Sequence, residues 1–284
     1  MAQYFGLFFT NGVVIGSIYA LIALGFNVIY VTTGIINFAQ GEFVMIGGIA
    51  SAWAYAVLGW SLPLAIISGV IAAALVGTVC FYIGIRPARG ASPVTYIIIT
   101  IAISIVLKSA ASFAWGTDPY TLPSILQGGI RMGAGSVDKH SLLVIPIAAA
   151  CMLMLLIFFR YTRPGLEMRA CAEDREGARL SGVSVDAASA RAFLIGAAMA
   201  GVSGAMLTPI LSMQFDGGTM LGLKGLAAAI LGGFGNPAGC VAGGLLIGVL
   251  EQFICYFSSG YKDILALAVV VVLLLLKPRG ILSR

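Results

Sequence analysis

In this 284-residue chain 60% of the residues are hydrophobic and only 10% are charged, against about 25% charged in a soluble domain. That excludes a soluble globular protein and leaves a polytopic helical bundle of long apolar segments with short polar punctuation. The formal net charge is a modest +5, and nucleic acid is not expected among its partners.

The fold class expected is therefore all-α, a transmembrane bundle of eight or nine segments, some broken or re-entrant, forming a single domain over 1–284. The first apolar run, Leu7–Val31, is too long for a signal-peptide core and has no basic flank, so it reads as a retained span. Phe38–Leu58, Leu62–Ile85 and Val94–Trp115 follow. A polar stretch, 116–140, then precedes Ser141–Phe159, and a charged stretch, 160–191, precedes Ala187–Ser212. Met220–Phe234 is short for about 30 Å of hydrocarbon and reads as a half-helix or re-entrant element. Cys240–Phe257 and Asp263–Leu276 close the series. The 37 glycines suit helices that approach closely in lipid.

Basic residues set the orientation. Nine spans with the N-terminus outside place eleven of them on the cytoplasmic face: Arg86, Arg89, six arginines between Arg160 and Arg191, Lys277, Arg279 and Arg284. The opposite face receives three, Arg131, Lys139 and Lys262. The reading is thus N-terminus out and C-terminus in, with 160–191 a cytoplasmic loop and 116–140 extracytoplasmic. Within the latter, Pro119 and Pro123 limit helix formation; it reads either as a plain connector or as a contact for a soluble binding protein.

The five cysteines lie mostly in apolar runs without metal-ligand spacing and read as packing residues. No metal or cofactor is expected, and the lone His140 receives no role. No H-E-x-x-H or G-x-S-x-G occurs, and GTMLGLKG from Gly218 lacks the G-K-[ST] of a P-loop. The chain is therefore not expected to be an enzyme.

Polar residues inside apolar sequence are the candidates for a transport path. INFAQGEF joins the first two spans, and Asn37, Gln40 and Glu42 in it form either a pathway element or an ordinary turn with Asn37 capping the next helix. Lys108 in the fourth span lines a cavity or snorkels outward; Asn27 and Ser104 are weaker candidates of the same kind. Gly232, Gly233 and Asn236, with Gly235, form either a break beside a gate or a tight packing surface. Asp216 and Lys224 read as a pair across a Gly-rich turn. An ion-coupled secondary transporter, the more distant alternative, generally needs more intramembrane ionisable groups than the nearly solitary Lys108.

The charged stretch RACAEDREGARLSGVSVDAASAR, 169–191, reads as short helices. Met168–Ala172 is helical, Asp174 caps a turn through Leu180, Gly182 stops it, and Asp186 caps the next span. Between Arg160 and Arg191 six basic residues face five acidic ones. A lipid-binding patch would carry one sign. A mixed-charge knob exposing Ala170, Ala172, Ala178 and Leu180 suits a protein groove.

The wording of this stretch, with Gly182 nine residues after Glu173, resembles the cytoplasmic loop of ABC importer permeases. NGVVIGSIYALIALGFNVIYVTTGIINFAQGEFVMIGG from Asn11 and MLTPILSMQFDGGTMLGLKGLAAAILGGFGNPAGCVAGGLLIG from Met206 resemble the shorter permease of branched-chain amino-acid (LIV-type) ABC importers. The similarity runs in matching order over nearly the whole chain. The family's commoner wording has His in place of Gln40, and Ala-Phe in place of Gly225 and Leu226. The resemblance implies an inner-membrane importer subunit for branched-chain amino acids, or for urea, short amides or aromatic acids. It implies a second related permease, two ATPase subunits that hydrolyse the ATP, and a soluble solute-binding protein. It places Arg169, Ala172, Glu173, Asp174, Ala178 and Gly182 in a helix that couples to the ATPases.

Overall fold

The computed structural model describes residues 2–126, 128–132, 135–257, 268 and 271. Ten α-helices and one hairpin follow in order among them: α1 Ala2–Thr33, α2 Gln40–Ala56, α3 Leu62–Cys80, α4 Pro93–Trp115, β1 Gly129–Met132, β2 Gly135–Asp138, α5 Lys139–Tyr161, α6 Arg163–Glu173, α7 Arg175–Leu180, α8 Val185–Leu207, α9 Gly217–Gly232 and α10 Pro237–Phe257. A π-helical turn, Phe81–Ile85, extends α3, so the apolar helix runs Leu62–Ile85 as expected.

Among the described residues six helices are long and apolar enough to cross a bilayer. Helix α9 has 16 residues and is short, as its sequence indicates. Helix α2 has 17 and is shorter than the Phe38–Leu58 span read from sequence. Of Asp263–Leu276 only residues 268 and 271 are among the described residues, so this span lies outside what the structure describes. The 116–140 stretch is more ordered than its prolines suggest. It holds the antiparallel β1–β2 hairpin, and Tyr120 exchanges main-chain hydrogen bonds of 3.0 and 2.9 Å with Met213.

Helices α1, α2 and α8 form the centre. Helix α1 packs on α10, α8, α9 and α5, and α2 lies among α8, α3 and α9. Residues such as Ile18, Ile22, Phe43, Met45 and Phe193 are inaccessible to solvent. A helix apolar on every face belongs in such a centre. The outer helices α3, α4 and α5 expose apolar side chains instead, including Leu64, Ile71, Ile105, Phe113 and Met154, as lipid-facing surfaces do.

Small residues set the spacing. A Cβ on Gly16 would lie 2.7 Å from the Leu245 Cα, and one on Gly47 2.4 Å from the Gly201 Cα. The α1–α10 and α2–α8 backbones therefore touch directly, which is how helices associate in lipid without a hydrophobic drive. Buried hydroxyls turn back onto their own helices: Ser51 Oγ donates to Gly47 O at 2.7 Å and Thr208 Oγ1 to Gly204 O at 2.8 Å. That satisfies them where water is absent.

Candidate functional site

The 160–191 stretch folds as two helices lying across one end of the bundle. Thr162 caps α6, its hydroxyl accepting from Gly165 N at 3.1 Å. Asp174 ends α6 and caps α7, accepting from Glu176 N at 3.0 Å, as its sequence position indicates. Gly182, at φ +83°, supplies the left-handed stop that other residues adopt only at a cost. The residue capping α8 is Ser184, which accepts from Ala187 N; Asp186 sits in the first turn and pairs with Arg86 and Arg89. This corrects the expected Asp186 cap: arginines arriving from a distant segment engage its carboxylate.

Helix α6 is two-faced. Gly165, Met168 and Cys171 are buried, with Met168 fully so. Leu166, Arg169, Ala172 and Glu173 are exposed, and Leu180 in α7 is 90% exposed. Ala178 departs from expectation: it is 5% exposed and packs inward with the core, while Val183 N, which donates to Ala178 O at 3.0 Å, closes the end of α7. Two further ties hold the stretch: Arg191 pairs with Glu167, and Arg175 Nη2 donates to Thr32 O at the end of α1 at 3.2 Å.

The second group surrounds the turn between α1 and α2. This turn re-enters the bundle. Gln40 Nε2 donates to Gly196 O at 2.8 Å and lies against Gly25, eight residues and so about 12 Å back from the end of α1 at 1.5 Å per residue. Asn37 Oδ1 accepts from Ala39 N at 3.1 Å, an Asx turn rather than a cap on α2, whose N-cap position is Ala39. Glu42 is wholly buried and accepts from Ser104 Oγ and Thr219 Oγ1, each at 3.0 Å. Lys108, half-buried one turn beyond Ser104, acts electrostatically on the same carboxylate. Irregular backbone at such depth is tolerated only where protein or a cavity surrounds it. The fold thus brings Asn37, Gln40, Glu42, Ser104 and Lys108 into one region.

Asn27 stands apart from them. Its Oδ1 accepts from Gly235 N at 2.7 Å, in the break between α9 and α10. Gly233 and Gly235 there adopt φ +88° and +95°, and Asn236 Oδ1 accepts from Gly239 N at 3.2 Å. Gly232 serves packing, since a Cβ on it would lie 2.1 Å from Gly239 O. A cavity of 520 Å³ beside this break is lined by Asn27, Gly235 and Pro237 together with Arg160, Arg169, Ala172 and Glu173. The break and the α6 helix therefore share one mouth.

Residues 8–274 match the family described as branched-chain amino acid transport system, permease component. The chain belongs to this permease family. It is 37% identical to the Escherichia coli K12 high-affinity branched-chain amino acid transport system permease protein LivH, over 96% of this chain and 94% of that one. It is 34% identical to BraD of Pseudomonas aeruginosa, over the same shares. Among solved structures, PsaBC from Streptococcus pneumoniae in complex with Fab superposes with a TM-score of 0.52 at 15% identity, covering 94% of this chain and 91% of that one; this likeness is one of fold. The permease is a multi-pass membrane protein.

One buried cluster of the permease escaped the sequence reading. Lys224 Nζ donates to Glu251 Oε1 at 2.9 Å and to Tyr19 Oη at 3.1 Å, and Tyr19 Oη donates to Glu251 Oε2 at 2.7 Å. All three are at most 6% exposed. Lys224 therefore pairs with Glu251 of α10 and not, as expected, with Asp216. The available signal was Glu251 itself, a carboxylate inside the apolar run GVLEQFI. With Glu42, it also means that Lys108 has company among the intramembrane ionisable groups. His140 proves to be a stitch: Ile125 N donates to its Nδ1 at 3.4 Å, leaving Nε2–H for Met206 O at 3.1 Å. At Gly225 the departure from the family's wording has a packing partner, since a Cβ there would lie 2.3 Å from the Ile22 Cγ2.

Proposed function

We propose that this permease is half of the membrane channel of an ATP-driven importer of branched-chain amino acids. In this reading a second related permease completes the path, two separate ATPase subunits bind beneath, and a soluble binding protein delivers solute from outside. The N-terminus faces outward, so α6 and α7 lie on the cytoplasmic side.

The observation that carries the mechanism is the division of α6 into two faces. Met168 and Cys171 anchor it in the bundle, while Leu166, Arg169, Ala172 and Glu173 are exposed, the last three at the mouth they share with Asn27 and Gly235. A helix seated on one face and open on the other suits a groove in a partner protein. When ATP draws the ATPases together, movement of this helix reaches the bundle through Arg175 and Thr32 and through the shared mouth at Asn27 and Gly235. Nucleotide and solute then act at separate sites on one two-state body, which is the requirement for allosteric coupling.

The test is reconstitution of the permease pair with and without its ATPases in vesicles. ATP-dependent uptake of leucine, isoleucine or valine only when the ATPases are present supports the reading. Equal uptake without them, or uptake driven by an ion gradient, contradicts it.

A further inference from the structure

At the end of the bundle opposite α6 and α7 lies a second cavity, of 430 Å³, within the usual range of small-molecule sites. Its walls come from the early turns of α1, the start of α5, the end of α8, and α9 and α10. Lys224, Glu251 and Tyr19 line it, together with Val14, Leu207 and Leu221.

We infer that this cavity is a solute site within the permease, built for the zwitterionic head of an aliphatic α-amino acid. The inference rests on the proposed importer function and deepens it. Among the described residues the charged lining consists of one lysine and one glutamate, 2.9 Å apart. This pair carries no net charge, so a lone anion or cation meeting it loses hydration without a net countercharge. An α-amino acid carries both charges on groups attached to one carbon. Its carboxylate faces Lys224 and its ammonium faces Glu251, turning one ion pair into an alternating set of four charges. Val14, Leu207 and Leu221 then receive the side chain, beside the polar lining residues Asn11, Ser141 and Gln252. Urea and simple amides carry no formal charge and have no use for the pair. A buried ion pair is commonly no more stable than an apolar pair of the same size, so packing gives little reason to keep it.

The test uses the assembled permease–ATPase complex in nanodiscs. Leu211, which lines this cavity and is 52% exposed, is replaced by cysteine, and its alkylation by a maleimide is followed by peptide mass spectrometry. Saturating leucine is expected to slow alkylation about tenfold, whereas 3-methylbutylamine and 4-methylpentanoate, each lacking one of the two charges, are not. Removing both charges together, Lys224→Met with Glu251→Leu, strands neither and is expected to abolish protection. Lys224→Arg and Glu251→Asp, which keep the charges and move them, are expected to shift the half-protecting leucine concentration by about tenfold, and they decide the matter if the double variant does not assemble. Protection absent in the parent, unchanged in these variants, or equal with the singly charged analogues overturns the inference. ATP-driven leucine uptake by the parent without protection sinks this site alone; no uptake of any branched-chain amino acid sinks the functional reading as well.

Discussion

Arg175 on α7 donates its Nη2–H to the carbonyl of Thr32, the penultimate residue of α1, at 3.2 Å. The last carbonyls of a helix lack partners within it and attract cations, so the bond is a natural docking point. It joins the surface helices to α1, which carries Asn27 and, past Thr33, the re-entrant turn with Asn37, Gln40 and Glu42. In the proposed mechanism it transmits movement.

Loss of that bond is expected to weaken coupling without preventing assembly. A hydrogen bond of about 1 kcal/mol net corresponds to roughly fivefold. Arg175→Met should lower ATP-driven uptake by about that factor while ATP hydrolysis persists, and Arg175→Lys should recover part of it. Uptake and hydrolysis measured in the same vesicles check this.

Replacing Glu173 and Gly182 together should uncouple more completely. Gly182 holds φ +83°, a conformation that costs another residue about 1–2 kcal/mol, and Glu173 sits on the open face of α6. Glu173→Ala with Gly182→Ala is expected to insert normally and to hydrolyse ATP without uptake. Unchanged uptake would refute the coupling role.

The capping of α7 by Asp174 and its stop at Gly182 were legible because both are local: the residue that makes the bond lies within two or three positions of the one it serves. The wrong partner for Lys224 has the opposite cause. Asp216 is near in sequence, but α9 and α10 pack so that Glu251, 27 residues on, reaches the ammonium first. Ala178 looked exposed because its burial depends on contacts with the bundle that no periodicity records. The depth of INFAQGEF was half visible. Its polar residues stood out, but only packing of Gln40 against Gly25 and Gly196 decides that the turn re-enters.

Cys171 reports the seating of α6. It is 2% exposed, and burial pushes its thiol above the usual value, only partly offset by Arg175. The thiolate is the reactive form, so a raised value lowers its fraction at neutral pH. Alkylation of Cys171 in the intact protein is expected to be slow near pH 7 and to rise with pH beyond the ordinary cysteine range. Met168→Ala, which removes the neighbouring anchor, should speed it. Mass-spectrometric labelling across pH checks both.

Close backbone packing predicts a contrast between two glycines. A Cβ on Gly47 meets Gly201 backbone at 2.4 Å, whereas one on Gly6 meets nothing within 4 Å. Gly47→Ala should destabilise the protein by about 1–3 kcal/mol, as overpacking does. Gly6→Ala should leave the thermal transition unchanged or slightly raised. Thermal unfolding of both variants in nanodiscs reads the difference.

The most direct measurement concerns Ala172, exposed near the end of α6 at the mouth of the cavity it lines. With Ala172→Cys in whole cells, a membrane-impermeant maleimide should fail to label this position until the cells are opened, and labelling should then fall when the ATPase subunits are present. Labelling in intact cells, or equal labelling with and without the ATPases, would contradict the assignment of this helix as the cytoplasmic contact through which ATP drives the permease.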